Sequence, residues 1–316
     1  MDGKRNGKEY QGRRCKKMSI GKLKINAAVR LLVMGAVICI TGCKDETFYP
    51  KKIVLPLPGK AAAPLELLRM KPGKFMMGTN PDEKSDEGNE KYKKAIINKH
   101  FWIGKFEVTQ EQWQSLMGNN PSKYKAKNHP VEEVGYYQSL EFCKKLNKLH
   151  ADKLPAGYRF YLPSETEWEY ACRAGTVTAL NSGKNLSGEG KFKQSDANLD
   201  EVGWYEVNSR GNHQPIGLKK PNAWGLYDMH GNVREWTRSW DLTWYVNSGG
   251  RKITRGGSFF DMAKFCSSAI RTSTNQCGLG DNLGFRVALV KIADIERDEA
   301  EEIPEPTEEE YNGVNQ

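Results

Sequence analysis

Three stretches of the chain repeat apolar residues at helical spacing, and each opens in a way that can start a helix. "TQEQWQSLM" begins at Thr109 and has Gln112 three residues on, so each side chain can satisfy a backbone amide the helix leaves free. Trp113, Leu116 and Met117 then share one face of the predicted helix. "YYQSLEFCKKLNKLH" sets Phe142, Leu146 and Leu149 at i, i+4 and i+7, a second amphipathic pattern. "LPSETEWEYACRAG" carries Ser164 as cap and Glu167 as its answer, turns Trp168, Ala171 and Cys172 inward, and closes with Gly175. From residue 176 onward the pattern changes: Gly, Asn, Pro and Trp crowd the chain, and only short runs such as "RKITRGG" and "GFRVALV" read as strands. The prediction is an α+β domain with a few helices, short antiparallel strands, much irregular loop and no internal repeat.

Both ends depart from this pattern. Residues 1–42 are basic and close on "AAVRLLVMGAVICITGC", whose apolar run from Leu31 to Thr41 is too short for a spanning helix and reads as the core of a secretory leader. Residues 43–64 are rich in Pro and Lys without periodicity and are expected to form a tether, so that the folded domain covers 65–293. Residues 294–316 open with ten acids and two prolines between Asp294 and Glu310, the composition of a solvated, partly disordered tail.

Composition alters one inference. A hydrophobic fraction of 38% in 316 residues suffices for a core, but the formal charge of +9 would suggest nucleic acid were it spread over the surface. The leader alone holds ten Lys/Arg against two acids, so the rest of the chain is close to neutral and nucleic acid is excluded as a partner. The histidines at 100, 129, 150, 213 and 230 show no metal-binding spacing, and the "GLYDMHGN" glycines lack the strand-to-helix context of a phosphate loop. Cys266 and Cys277 could close a short loop as a disulfide in an oxidising compartment, or remain thiols like Cys143 and Cys172 on the core faces of helices. Trp240 and Trp244, on a loop, raise the question of sugar platforms.

Six motifs in order carry a resemblance to a known family: "FMMGTN" (75–80), "FWIGKFEVTQEQW" (101–113), "YRFYLPSETEWEYACRAGT" (158–176), "KKPNAWGLYDMHGNVREW" (219–236), "RGGSFF" (255–260) and "NLGFRVAL" (282–289). Together they resemble the formylglycine-generating enzyme, or sulfatase-modifying factor, family, whose fold is related to C-type lectin-like domains. "ITGC" likewise resembles the bacterial lipoprotein cleavage box, with Cys43 as the lipidated residue, and "CKDE" resembles a cell-surface routing tag of Bacteroidetes-type lipoproteins. Met18 is an alternative start to Met1, because the stretch before it is longer than a leader needs. The location these features imply is the bacterial cell envelope, at the outer membrane or cell surface, with the membrane as partner through the lipid.

The family's oxidases convert a peptide cysteine to formylglycine with oxygen and a copper(I) ion held by two thiolates, soft ligands for a soft ion. The resemblance places Asp261 at the first of those cysteines, three residues after Ser258, and Cys266 at the second, although counting back from "NLGFR" shifts that register. Arg234 stands where active members carry a tryptophan of the peptide-binding wall, while Ser258 is retained in the cleft. The resemblance also implies a calcium site with side-chain oxygens from Asp228 and Glu235 and carbonyls from Gly231 and Val233, and a further site using Asn198 and the carbonyl of Leu199.

The expected function is therefore a lipid-anchored binding or structural module of the envelope, for a protein, peptide or glycan ligand, with calcium and without the copper pair. The alternatives are an oxidase with a noncanonical cysteine site, with Cys266 as its catalytic thiol and Ser258 beside it, and a calcium-dependent glycan binder. Expression of the full chain in a bacterium fed radiolabelled palmitate tests the anchor: the wild type should incorporate label, and Cys43→Ala should incorporate none and retain its leader.

Overall fold

The computed structural model describes residues 49–59, 62–83, 91–188, 192, 194–241 and 251–300. The leader, Met1, Met18, Cys43, Trp244 and the chain beyond residue 300 lie outside them. Among the described residues, no helix is long and apolar enough to cross a membrane.

Two antiparallel-based sheets frame the fold. The larger joins β1 (Lys52–Leu55), β2 (Leu65–Met70), β5 (Phe101–Gly104), β13 (Ala288–Lys291) and β6 (Tyr158–Tyr161) in that order, all antiparallel. The last strand among the described residues thus sits inside the sheet, clamping segments from both halves. β9 (Arg234–Asp241) and β10 (Arg251–Arg255) build the second sheet with β11 (Arg271–Asn275) and the short parallel partner β12 (Leu283–Gly284). β3 (Gly73–Met77) and β4 (Lys93–Ile97) form a separate hairpin, and β7 (Gly203–Trp204) meets β8 (His230–Gly231) in a short parallel pairing.

Two of the three longer helices of the domain's first half start on side-chain caps, and a single turn further on, α4 (Ala197–Asp200), opens on Asp196. α1 (Gln110–Met117) and α3 (Glu165–Arg173) both begin with reciprocal capping boxes, Thr109 with Gln112 and Ser164 with Glu167. Gly118 and Ala174 end them in left-handed conformation. α2 (Tyr136–Leu149) buries Tyr136, Ser139, Phe142, Cys143 and Leu146, and its stripe drifts enough that Leu149 is 42% exposed and His150 takes the buried place instead. Leu116 and Met117 of α1 are only half-buried, and Trp113 is the residue of that face that is buried.

Two segments pack where the sequence suggested loose chain. β1 lies within the stretch expected to be a tether, and its register with β2 (Lys52 opposite Leu68) carries the packed chain back before residue 65. α5 (Ile292–Ala300) occupies the start of the acidic tail, because Ile295 is buried and Asp298 accepts a hydrogen bond from the buried Arg238. A buried counter-charge and one apolar anchor thus order a segment that composition alone reads as solvated.

The core has three parts. Trp113 stacks on Phe142 at 5.6 Å and meets Phe285 edge-on beneath α1, α2 and the large sheet. Trp168, Cys172, Met229 and Val290 form a second cluster under α3, and Leu180, Leu199, Tyr205 and Cys266 a third beneath the loops. Phe142→Ala should destabilise by about 3–5 kcal/mol, Ser164→Ala by about 1 kcal/mol, and Leu149→Ala by less than about 0.5 kcal/mol, as read from denaturant unfolding midpoints.

Candidate functional site

The glycine pair after β10 sets the geometry of the Ser258–Asp261 turn, where the resemblance puts the family's cleft. Gly257 has φ +72°, and a Cβ there would lie 2.5 Å from the carbonyl oxygen of Phe265 and 2.7 Å from the Cys266 sulfur. Only glycine permits that approach. A tight turn follows, closed by the Asp261 amide donating to the Ser258 carbonyl at 3.0 Å, with Phe260 at its tip and 72% exposed.

Arg234, the first residue of β9, reaches across to this turn. Its Nε donates to Asp261 Oδ2 at 2.9 Å and its Nη2 donates to Oδ1, a bidentate charge-assisted pair. The Ser258 hydroxyl also donates to Asp261 Oδ2, at 2.6 Å, and accepts from Asn282 Nδ2 at 3.2 Å. The structure therefore brings Arg234, Ser258 and Asp261 into one polar cluster and adds Asn282, which the sequence reading did not single out. Arg234 keeps partial exposure while Asp261 is nearly covered.

Cys266 lies beneath this cluster at the end of a 3₁₀ turn, Ala263–Cys266. It is a free thiol, fully buried, whereas Cys277 is exposed just after β11, so the disulfide between them is not formed. Burial, reinforced by the Asp261 carboxylate, pushes the Cys266 thiol well above its ordinary range. The copper(I) pair does not fit these residues. One of its two positions holds a carboxylate whose oxygens already accept from Arg234 and Ser258, and the other holds a buried thiol that resists ionisation.

Cys172 and His230 also meet, with Sγ 3.9 Å from Nε2, but both are fully buried. The Asn181 amide donates to His230 Nε2 at 3.0 Å, so Nδ1 carries the proton and donates to the Cys266 carbonyl at 2.7 Å. Burial pushes Cys172 up to about 12 and His230 down to about 4. Neither is poised for nucleophilic chemistry at neutral pH, and the pair fastens the Cys266 turn to the core.

The residues expected to hold calcium occupy a buried acidic pocket beside the cleft. Glu235 accepts from Arg286 through both oxygens, at 2.7 and 2.6 Å, and from Trp168 Nε1 at 2.7 Å. Asp228 sits at φ +55° and accepts from the Gly217 amide, while its buried Oδ1 has no hydrogen-bond partner. Glu107 accepts from the Val233 amide and from Asn232 Nδ2, and sequence reasoning missed it, because it lies 126 residues from the motif it serves. Burial and the neighbouring Asp228 and Glu235 carboxylates hold Glu107 well above its ordinary range, and burial raises Asp228 to about 6.

One arginine thus faces three buried carboxylates. Asp228 keeps one open hard oxygen beside the other carboxylates, while Glu235 is already committed to Arg286, and among the described residues no group of three or more acid, histidine or cysteine side chains is gathered to hold a metal ion. At the second expected site, Asn198 donates to the Asn185 carbonyl and the Leu199 carbonyl accepts from the Val202 amide. Trp240 lies within β9 and not on a loop, paired with Lys252 of β10, whose ammonium covers its face at 3.6 Å and leaves no open platform on that side.

The Sulfatase-modifying factor enzyme 1-like domain profile matches residues 56–291. "Chaperone protein LppX" of Paenibacillus barcinonensis is 30% identical over 244 residues, covering 63% of this chain and 83% of that one. The formylglycine-generating enzyme of Mus musculus is 30% identical over 216 residues, covering 61% of this chain and 52% of the enzyme, so the matched region spans about half the enzyme's length. Among solved structures, Treponema denticola variable protein 1 superposes with a TM-score of 0.62 at 26% identity, covering 76% of this chain and 99% of that one.

Titration of the metal-stripped protein with calcium should raise its thermal midpoint, and Asp228→Asn should abolish the rise while leaving a folded protein. Glu235→Gln should instead cost about 3–5 kcal/mol with or without calcium, since it strands Arg286 in the core.

Proposed function

The chain belongs to the sulfatase-modifying factor family, and from that premise we propose that it is an extracytoplasmic, lipid-anchored member whose cleft binds a ligand instead of oxidising a cysteine. The observation that carries the reading is the Arg234–Asp261 pair. Where the resemblance puts the first copper thiolate, this chain has a neutralised, hydrogen-bonded ion pair. The buried Cys266 cannot replace the missing thiolate, because an isolated thiol held in its protonated form is neither a copper(I) pair nor an accessible nucleophile.

What remains suits recognition. The guanidinium of Arg234, the amide of Asn282 and the exposed ring of Phe260 belong to one short stretch of surface, offering donors, acceptors and an apolar face to a protein, peptide or glycan. A relative named as a chaperone supports a role in handling other molecules. Anchoring at Cys43 would hold the domain at the outer membrane or cell surface, and calcium at Asp228 with the carbonyls of Gly231 and Val233 would neutralise the acidic pocket that braces the cleft.

The oxidase alternative differs in two readouts. A Cys-x-Pro-x-Arg peptide incubated aerobically with the copper(I)-treated protein should keep its mass, with a family oxidase as positive control. In parallel, competition with a copper(I) chelator should reveal no tight copper binding that depends on Cys266. Conversion of the peptide, or tight copper lost in Cys266→Ala, would overturn the reading.

A further inference from the structure

Two histidines that show no spacing in the sequence meet in the fold. His129, on the connection between α1 and α2, and His213, on the loop after β7, place their Nδ1 atoms 2.8 Å apart, with ring planes at 71°. At that distance one nitrogen donates and the other accepts, so the two rings share one proton. His213 is 1% exposed and its other nitrogen, Nε2, lies 3.5 Å from Oε1 of Glu132, which is fully buried. Neither His213 Nε2 nor Glu132 Oε2 has a hydrogen-bond partner. The rings of Tyr124 and Phe259 wall His213 edge-on at 5.8 and 5.9 Å, while His129 is half-buried.

We propose that His129, His213 and Glu132 form an acid-sensitive latch that ties the α1–α2 connection to the 205–216 loop and so to the turn carrying the cleft. Near neutral pH the shared Nδ1 proton holds the two segments together. The first added proton settles on an Nε2 and leaves the Nδ1 bond intact, an imidazolium donating to a neutral imidazole; when the second ring is protonated as well, both Nδ1 atoms carry N–H at the same point and the 2.8 Å contact must open. The charge has a destination: His213 is wedged in place and faces Glu132, whereas the half-buried His129 is free to turn toward solvent. The titratable and charged groups around the pair are Glu132 and Tyr124, with Lys123 stacked on Tyr124 and paired to Asp281, and Glu133 beyond.

Opening would reach the cleft because the 205–216 loop is fastened to its frame. Ser209 donates to the carbonyl of Phe259, the Gln214 amide donates to Asn232 Oδ1, and the Ile216 amide donates to the Asn128 carbonyl. Phe259 both walls His213 and precedes Phe260 on the Ser258–Asp261 turn. Burial, and then the neighbouring His213, hold His129 below the ordinary histidine value. The unfolded chain therefore takes up protons first, and this contact's share of stability falls as pH drops through 6.5 toward the folded value of His129.

The test is imidazole nitrogen NMR on the full domain from about pH 8 to about pH 4.5, with amide exchange followed on the 118–135 and 205–216 segments. Proton uptake should move the imidazole nitrogen signals of both rings together, and exchange in both segments should accelerate by about tenfold once both rings carry the charge. His129→Gln, which keeps a polar group but cannot take the proton, should remove the acid response. Glu132→Gln should move the transition to lower pH, because His213 loses its counter-charge. Independent titration of the two rings, unchanged exchange on acidification, or a full acid response in His129→Gln would each overturn the proposal.

Discussion

The cleft is built on the buried ion pair between Glu235 and Arg286. Both side chains are shielded from solvent, and withdrawing each charge from water costs several kcal/mol. The arrangement holds because the pair is bidentate and nearly every remaining donor of Arg286 is used, on the carbonyls of Gly104 and Tyr227. Trp168 of α3 donates to the same carboxylate. One contact thus joins the second sheet, the end of β5, the Asp228 loop and a helix, and it fixes the direction in which β9 leaves the core.

That direction determines what β9 presents. Side chains alternate across a strand, so Glu235 faces Arg286 and Trp168 while Arg234 and Trp236 face the other way. Arg234 consequently meets Asp261, and Trp236 donates to the Val134 carbonyl. The frame and the cleft are the two faces of one strand. Positive φ at Asp228, Gly231 and Asn232 bends the chain just before it, and Asn232 spends its side chain on Glu107. The strained loop and the acidic pocket are therefore one construction, whose excess charge either keeps a proton, as the raised Glu107 and Asp228 indicate, or calls for a cation.

Features governed by neighbouring residues were legible in the sequence. Thr109 with Gln112 and Ser164 with Glu167 announced their helices because a capping box is complete within four residues. The family resemblance placed Arg234 and Asp261 in one cleft, and the structure pairs them. Features governed by distant partners were not legible. β1 is a four-residue strand amid prolines and lysines and is ordered by its register with β2. α5 looks like solvated acid until Arg238 is placed under Asp298. Glu107 serves a loop 126 residues away, and His129 meets His213 across 84 residues. Nothing local distinguishes such residues from ordinary surface acids and histidines, since their environment is made entirely by the fold.

The same logic separates this cleft from an oxidase site by more than one residue. A thiol at position 261 would remove the acceptor of both Arg234 and Ser258, leaving a guanidinium without its counter-charge and a buried hydroxyl without its bond. It would also remove a nearby negative charge from Cys266, but burial is the larger cause of that thiol's resistance to ionisation and would persist. A tryptophan at position 234 would empty the space over Asp261 of its cation and leave a carboxylate nearly covered and unpaired. Each single substitution therefore destabilises the partner left behind. Arg234 and Asp261 are interdependent, and the Ser258 hydroxyl orients the carboxylate that joins them.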